Sequence, residues 1–183
     1  MKPQKIIDSP FSDGKAYLQE QMLETDFRGE KYRYLHRNYR CEETGLEFTT
    51  DEMDFDNLDQ IYVQYRKVHD IPSPEELKAM REDYGLSATK MSEILGLGTN
   101  QYRLYEEGQM PSETIGKMLR SILTPAVFLS YVEGCKNQMS EEDYRKLCRK
   151  IQKTFIKEIK SRPDLSWFRD FLSFKGFARK VAL

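Results

Sequence analysis

Residues 88–107 constrain the fold more than any other stretch of this chain. They read Ala-Thr-Lys-Met-Ser-Glu-Ile-Leu-Gly-Leu-Gly-Thr-Asn-Gln-Tyr-Arg-Leu-Tyr-Glu-Glu. Two short helices that cross steeply need a small residue at the crossing, and the fifth position is Ser92. The chain must turn sharply after the first helix, which favours left-handed backbone at the ninth position. That position is Gly96, where a missing Cβ removes the steric penalty. Positions four, eight, ten, fifteen and eighteen must be apolar to hold the pair together, and they are Met91, Leu95, Leu97, Tyr102 and Tyr105. The frame therefore predicts a helix-turn-helix. Ser87 is placed to cap the first helix and Gly108 to end the second.

The flanks predict more helix. Residues 74–84 form a preceding helix with Leu77 and Met80 inward, and residues 112–123 a following one with Ile115, Leu119 and Ile122 inward. Ile71-Pro72-Ser73-Pro74 favours extended backbone, and Pro74 suits the first position of a helix, so a domain boundary is placed there.

Upstream the pattern changes. Residues 15–28 and 31–40 are rich in Tyr, Phe, Leu and Met, and Arg28-Gly29-Glu30 between them is a turn signal, which predicts a β-hairpin. Glu43-Thr44-Gly45 marks a second turn before a short strand, Glu47-Phe48-Thr49. Thr49 and Glu52 have capping-box spacing, and behind them Leu58, Ile61, Tyr62 and Tyr65 predict one apolar helical face. Downstream, Ser140 with Asp143 starts a helix whose stripe is Tyr144, Leu147, Cys148, Ile151, Phe155 and Ile159. Lys146, Arg149, Lys150, Lys153 and Lys157 fill much of its other face. Trp167, Phe168, Phe171, Leu172, Phe174 and Phe177 make an aromatic-rich tail.

The expected fold class is α+β. A small N-terminal β-hairpin domain with a connecting helix spans 9–70, an all-α helix-turn-helix domain 73–124, and a helical C-terminal extension 125–183.

Bulk properties narrow the function. No run of about 18 apolar residues exists, so no membrane span is expected. Residues 1–10 contain no apolar signal core, and three widely spaced cysteines form no disulfide framework. An intracellular, cytoplasmic chain is expected. The 10 basic and 15 acidic residues of 1–70 give −5, the 6 and 8 of 71–124 give −2, and the 13 and 7 of 125–183 give +6. The basic third suits an acidic partner, or else a solvated helical face.

In a helix-turn-helix the second helix lies in the major groove with its N-terminal residues nearest the base edges. Tyr102 and Tyr105 face inward, which leaves Thr99, Asn100, Arg103 and Leu104 toward the groove, with Gln101 in the same turn. Asn reads adenine with two hydrogen bonds, Arg reads guanine or holds phosphate, and Leu touches a thymine methyl. Ser87, Thr89 and Lys90 are expected to meet phosphates at the start of the first helix. The bland alternative for each is ordinary exposure. The slightly acidic 71–124 segment departs from the basic footprint usual in nucleic-acid binders.

These residues carry a family resemblance. Residues 86–108, with Ser92-Glu93-Ile94-Leu95-Gly96 before the second helix and Tyr105-Glu106-Glu107-Gly108 closing it, resemble the helix-turn-helix of lambda-repressor-like regulators. They are more closely similar to the MqsA family of bacterial antitoxins. That family joins an N-terminal zinc ribbon to a C-terminal helix-turn-helix. Its members dimerise through the latter, bind a palindrome in their own promoter and neutralise a toxin through the former. The first ligand pair of the family, Cys-Pro-x-Cys, falls on Ser9-Pro10-Phe11-Ser12, and the second, Cys-x-x-Cys, on Cys41-Glu42-Glu43-Thr44. Only Cys41 remains, and hydroxyls are poor zinc ligands beside thiolates. The resemblance implies a ribbon-shaped hairpin without metal, held by Phe11, Tyr17, Leu18, Tyr32, Tyr34, Tyr39 and Phe48. The family's base-reading Asn falls on Asn100, and its Arg falls on Leu104, so that contact is lost. The resemblance covers roughly residues 9–123.

The resulting expectation is a sequence-specific DNA-binding transcriptional regulator, an autoregulating antitoxin of a type II toxin-antitoxin system. Its partners are a palindromic duplex operator, a second copy of the chain and a toxin, and it needs no cofactor or metal. The competing expectation is a protein-interaction adaptor with the same fold that does not bind DNA. An enzyme is the weakest reading. His36 and His69 sit beside no nucleophile motif, and Asp51-Glu52-Asp54-Asp56 suits a helix N-terminus meeting its dipole.

Overall fold

The computed structural model describes residues 5–161. The fold is mixed α+β: an N-terminal four-stranded antiparallel sheet is followed by helices. The chain divides into two units, Met1–Val68 and His69–Leu183.

In the first unit the strands are β1 (Ile6–Asp8), β2 (Lys15–Phe27), β3 (Glu30–Cys41) and β4 (Glu47–Phe48), in the order β1-β2-β3-β4. The β2–β3 hairpin runs in unbroken register from Ala16↔Cys41 to Phe27↔Glu30. Its turn is Arg28 and Gly29 alone, at φ 55° and 82°. Two central residues at positive φ twist with the strands they join, and glycine takes the second without strain. Glu30 is therefore already paired rather than part of the turn.

Helix α1 (Asp51–Val68) comes next. Its cap is Thr50, not Thr49: the Thr50 hydroxyl accepts from the Met53 N–H at 3.3 Å. The third helical residue is then Met53, so the expected capping box does not form. The buried face also differs. Met53, Asn57, Ile61 and Tyr65 are buried, whereas Leu58 is exposed.

The reason lies on the edge of β3. Asn57 accepts from the Arg37 N–H at 3.0 Å and donates to the Arg37 carbonyl at 3.0 Å. Gln60 does the same for Leu35, at 2.9 and 3.0 Å. Gln64 donates to the Arg33 carbonyl at 2.9 Å. Side-chain amides one helical turn apart thus meet alternate residues of the strand, so α1 stands in for a neighbouring strand and closes an edge otherwise open to other chains. That geometry turns Leu58 outward.

Small apolar contacts complete this unit. Ala16, Tyr39 and Met53 are buried together, with Ile7, Leu18 and Phe48 against them. Phe11 meets Phe48 edge-on at 5.4 Å, and Phe27 meets Tyr65 edge-on at 5.1 Å. Tyr32 and Tyr39 are buried, but Phe11 and Tyr17 remain largely exposed.

The second unit is helical: α2 (Pro74–Tyr84), α3 (Ala88–Ile94), α4 (Gln101–Glu106), α5 (Glu113–Ile122), α6 (Pro125–Gly134) and α7 (Glu141–Ser161). Serines start four of them. Ser73, Ser87, Ser112 and Ser140 each accept a hydrogen bond from the N–H three residues on. At Ser73 the reciprocal bond from its own N–H to the Glu76 carboxylate completes a capping box, with Pro74 at the first position.

One core joins these helices. Leu77, Met80 and Tyr84 of α2 and Met91 and Ile94 of α3 meet Tyr102 and Tyr105 of α4 and Leu119 and Ile122 of α5. Phe128 and Val132 of α6 and Leu147, Cys148 and Ile151 of α7 belong to the same cluster, and Phe128 stacks on Tyr84 at 5.0 Å. Residues 125–151 thus contribute to this core, which the helix-turn-helix shares with α6 and α7. The aromatic tail from Trp167 lies outside the described residues. No helix among the described residues is long and apolar enough to cross a membrane.

Candidate nucleic-acid interface

Helices α3 and α4 stand at the frame that the sequence picks out. Ser92 is fully buried at their crossing, and its hydroxyl accepts from the Tyr102 N–H at 3.0 Å. The small residue therefore does two things. It lets the helices approach, and it satisfies one of the N–H groups left open at the start of α4. Gly96 sits at φ 67°, in the left-handed region, and the Leu97 N–H bonds back to the Ser92 carbonyl at 2.8 Å.

The inner face of α4 is held from behind. Tyr102 is fully buried, and its hydroxyl donates to the Leu77 carbonyl at 2.9 Å. Burial pushes that phenol well above its ordinary pKa. Arg81 grips Glu106 with two hydrogen bonds, Nε to Oε1 at 2.6 Å and Nη2 to Oε2 at 3.1 Å. Its third arm donates to the Leu86 carbonyl at 3.0 Å. The paired carboxylate raises the Arg81 pKa further. A bidentate pair fixes direction as well as distance, and here it ties α2 to α4. Nothing local in the sequence marks Arg81, because its partner lies 25 residues away.

The outer face carries the residues singled out from the sequence. Thr99 and Asn100 are exposed just before α4. Asn100 occupies the N-cap position, yet its side chain makes no capping bond. Arg103 is exposed, with Nε 3.8 Å from the Glu107 carboxylate. Leu104 is 37 % exposed beside it. Gln101 is half-buried, and its amide donates to Gln109 Oε1 at 3.0 Å, so it is less available than its neighbours. At the start of α3, Thr89 is exposed, the Ser87 hydroxyl is engaged in capping, and Lys90 pairs with Glu93 at 2.9 Å.

Two lysines outside the motif join this end of α3. Lys146 and Lys150 of α7 line the same cavity as Ser87 and Lys90. Two basic side chains of a later helix thus stand beside the slightly acidic 71–124 segment, a proximity that only the folded chain reveals.

The first unit holds a second cluster. The Ser12 hydroxyl lies 3.4 Å from the buried Cys41 sulfur. Hydrogen bonds from the hydroxyls of Ser12, Ser9 and Thr44, with one from the Thr44 backbone, push the thiol down to about 6. The four positions that align with zinc-ligand pairs in the resemblance therefore converge. Their donor set, one thiol and three hydroxyls, does not fit zinc, and among the described residues no group of three or more His, Cys, Asp or Glu side chains could hold a metal. No protein-family model matches the chain, and no curated protein is similar enough to it to count as a match.

Proposed function

We propose that the chain is a sequence-specific DNA-binding transcriptional regulator that reads duplex DNA through the outer face of α4. One observation carries this reading: Asn100 and Arg103 stand exposed at the first turn of a helix that Ser92, Tyr102 and the Arg81–Glu106 pair hold rigidly from behind. Asn100 is a strong capping residue type that leaves its own helix uncapped, which keeps an amide free for an adenine edge. Leu104 supplies an apolar contact for a thymine methyl, and Thr99, Thr89, Ser87 and Lys90 flank it as backbone contacts, with Gln101 held back by Gln109.

The convergence of Ser9, Ser12, Cys41 and Thr44 supports the resemblance to the MqsA family beyond the helix-turn-helix itself. On that basis the regulator is an autoregulating antitoxin of a cytoplasmic type II toxin-antitoxin system. It acts as a homodimer on a palindromic operator, and the first unit meets the toxin. Light scattering is expected to give the mass of two chains.

The second reading is a protein-interaction adaptor. The observation favouring it is the acidic residues on the interface itself: Glu93 neutralises Lys90, and Glu107 approaches Arg103. Fluorescence anisotropy with a duplex from the chain's own upstream region, beside a scrambled duplex, separates the two. Preference for the native duplex supports the regulator. Equal, salt-abolished binding to both reports only a basic surface, and no binding to either favours the adaptor.

A further inference from the structure

A cavity of about 580 Å³ opens between the end of α2, the start of α3 and the first turns of α7. Cavities of that size accept small organic ligands. Its inner wall is apolar, formed by Tyr84, Leu86 and Leu147. Three lysines line it, Lys90, Lys146 and Lys150, against a single acidic residue, Asp143, whose carboxylate already accepts from the Ser140 hydroxyl at 2.7 Å.

The three lysines are held differently. Lys150 Nζ donates to the Tyr84 carbonyl at 2.9 Å. It crosses so close to the backbone that a Cβ on Gly85 would stand 2.3 Å from it, and Gly85 is itself at φ 63°. The left-handed backbone at residue 85 favours glycine, whereas the end of the Lys150 side chain could shift aside. Lys90 is engaged only in the exposed pair with Glu93, which is readily exchanged. Lys146 makes no ion pair or hydrogen bond among the described residues.

We propose that this cavity binds a small organic anion with an apolar body, and that the bound anion opposes DNA binding by taking Lys90 and covering Ser87. The charge excess selects an anion, and the apolar wall selects one with a hydrophobic portion over a bare inorganic ion. The concave shape suits a small molecule better than the convex duplex backbone. The second half rests on the DNA-binding reading; the first does not.

The test is a fluorescence titration of the full chain with 8-anilinonaphthalene-1-sulfonate, with neutral N-phenyl-1-naphthylamine as the uncharged control. Two exposed positions are varied, Lys146→Glu to reverse a charge and Gln138→Trp to fill the cavity, with circular dichroism to confirm that each folds. Saturable binding of the sulfonate is expected, weakened about tenfold or more by either substitution, with the neutral control binding far more weakly. Undiminished binding by both variants overturns the site, and equal binding of the neutral control overturns its preference for anions. In a second arm, saturating sulfonate is expected to weaken duplex binding about tenfold in the native chain and to leave Gln138→Trp unaffected. Unchanged duplex affinity with the sulfonate bound overturns the antagonism. If no duplex binds, the DNA reading falls and the antagonism with it, while the first arm still decides the cavity.

Discussion

Cys41 shows how much one side chain's surroundings can alter its chemistry. Three hydroxyls and a backbone group donate toward its sulfur and favour the thiolate, so the thiol falls to about 6 from an ordinary value near 9. A pKa lower in the folded than in the unfolded chain stabilises the fold fully above the unfolded value. That contribution is lost as pH falls through about 6. A thiolate absorbance step near pH 6 is expected in the native chain and absent in Cys41→Ser. The stability difference between the two should narrow below that pH. The same convergence allows a constructive test. Ser9→Cys, Ser12→Cys and Thr44→Cys together place four thiols where four donors already meet, and uptake of about one zinc per chain is expected by elemental analysis. No uptake would count against the ribbon resemblance. The role of Ser92 was legible in the sequence as small size, whereas its hydrogen bond to Tyr102 was not, because that contact depends on how the second helix begins.

Among the elements, α3 and α4 were the most legible, since a turn demanding Gly96 and five apolar positions at fixed spacing leave little choice. Helix α1 was less so. Its apolar periodicity favoured Leu58, but periodicity weighs only hydrophobic contacts, and Asn57, Gln60 and Gln64 have a stronger claim on the strand edge. Asn57→Ala leaves the Arg37 N–H and carbonyl without their partner, and a loss of about 1–3 kcal/mol in urea unfolding is expected. Leu58→Ala, despite its larger apolar side chain, should cost well under that. In α4 the Arg81–Glu106 pair is mostly shielded from solvent, with the Glu106 side chain only 8 % exposed. Glu106→Ala strands a guanidinium and should cost about 2–3 kcal/mol by thermal or urea unfolding.

Across the whole chain, the change from strand-like to helical sequence was readable, but the relation of residues 125–151 to the helix-turn-helix was not. Leu147 and Ile151 read in the sequence as part of one helical stripe, and the core they complete with Phe128 and Val132 is visible only in the fold. A fragment ending at residue 124 loses those side chains and exposes Tyr84, Leu119 and Ile122. It is expected to melt without a cooperative transition in circular dichroism, where the full chain melts cooperatively. Cooperative melting of the fragment would show that the helix-turn-helix folds without α6 and α7. The same folding-back brings Lys146 and Lys150 beside α3, so the −2 of residues 71–124 understates the basic character around Ser87 and Lys90.

If the outer face of α4 reads bases, a duplex titration of Asn100→Ala will register the loss of one base contact. Asn100 makes no cap bond to lose, so the melting temperature is expected to stay within about a degree or two of the native chain. Affinity for the upstream duplex should fall by about 1–3 kcal/mol, roughly fivefold to 150-fold, with little change for the scrambled duplex. Equal affinity of Asn100→Ala and the native chain for the upstream duplex, at unchanged stability, would mean that Asn100 on the outer face of α4 reads no base.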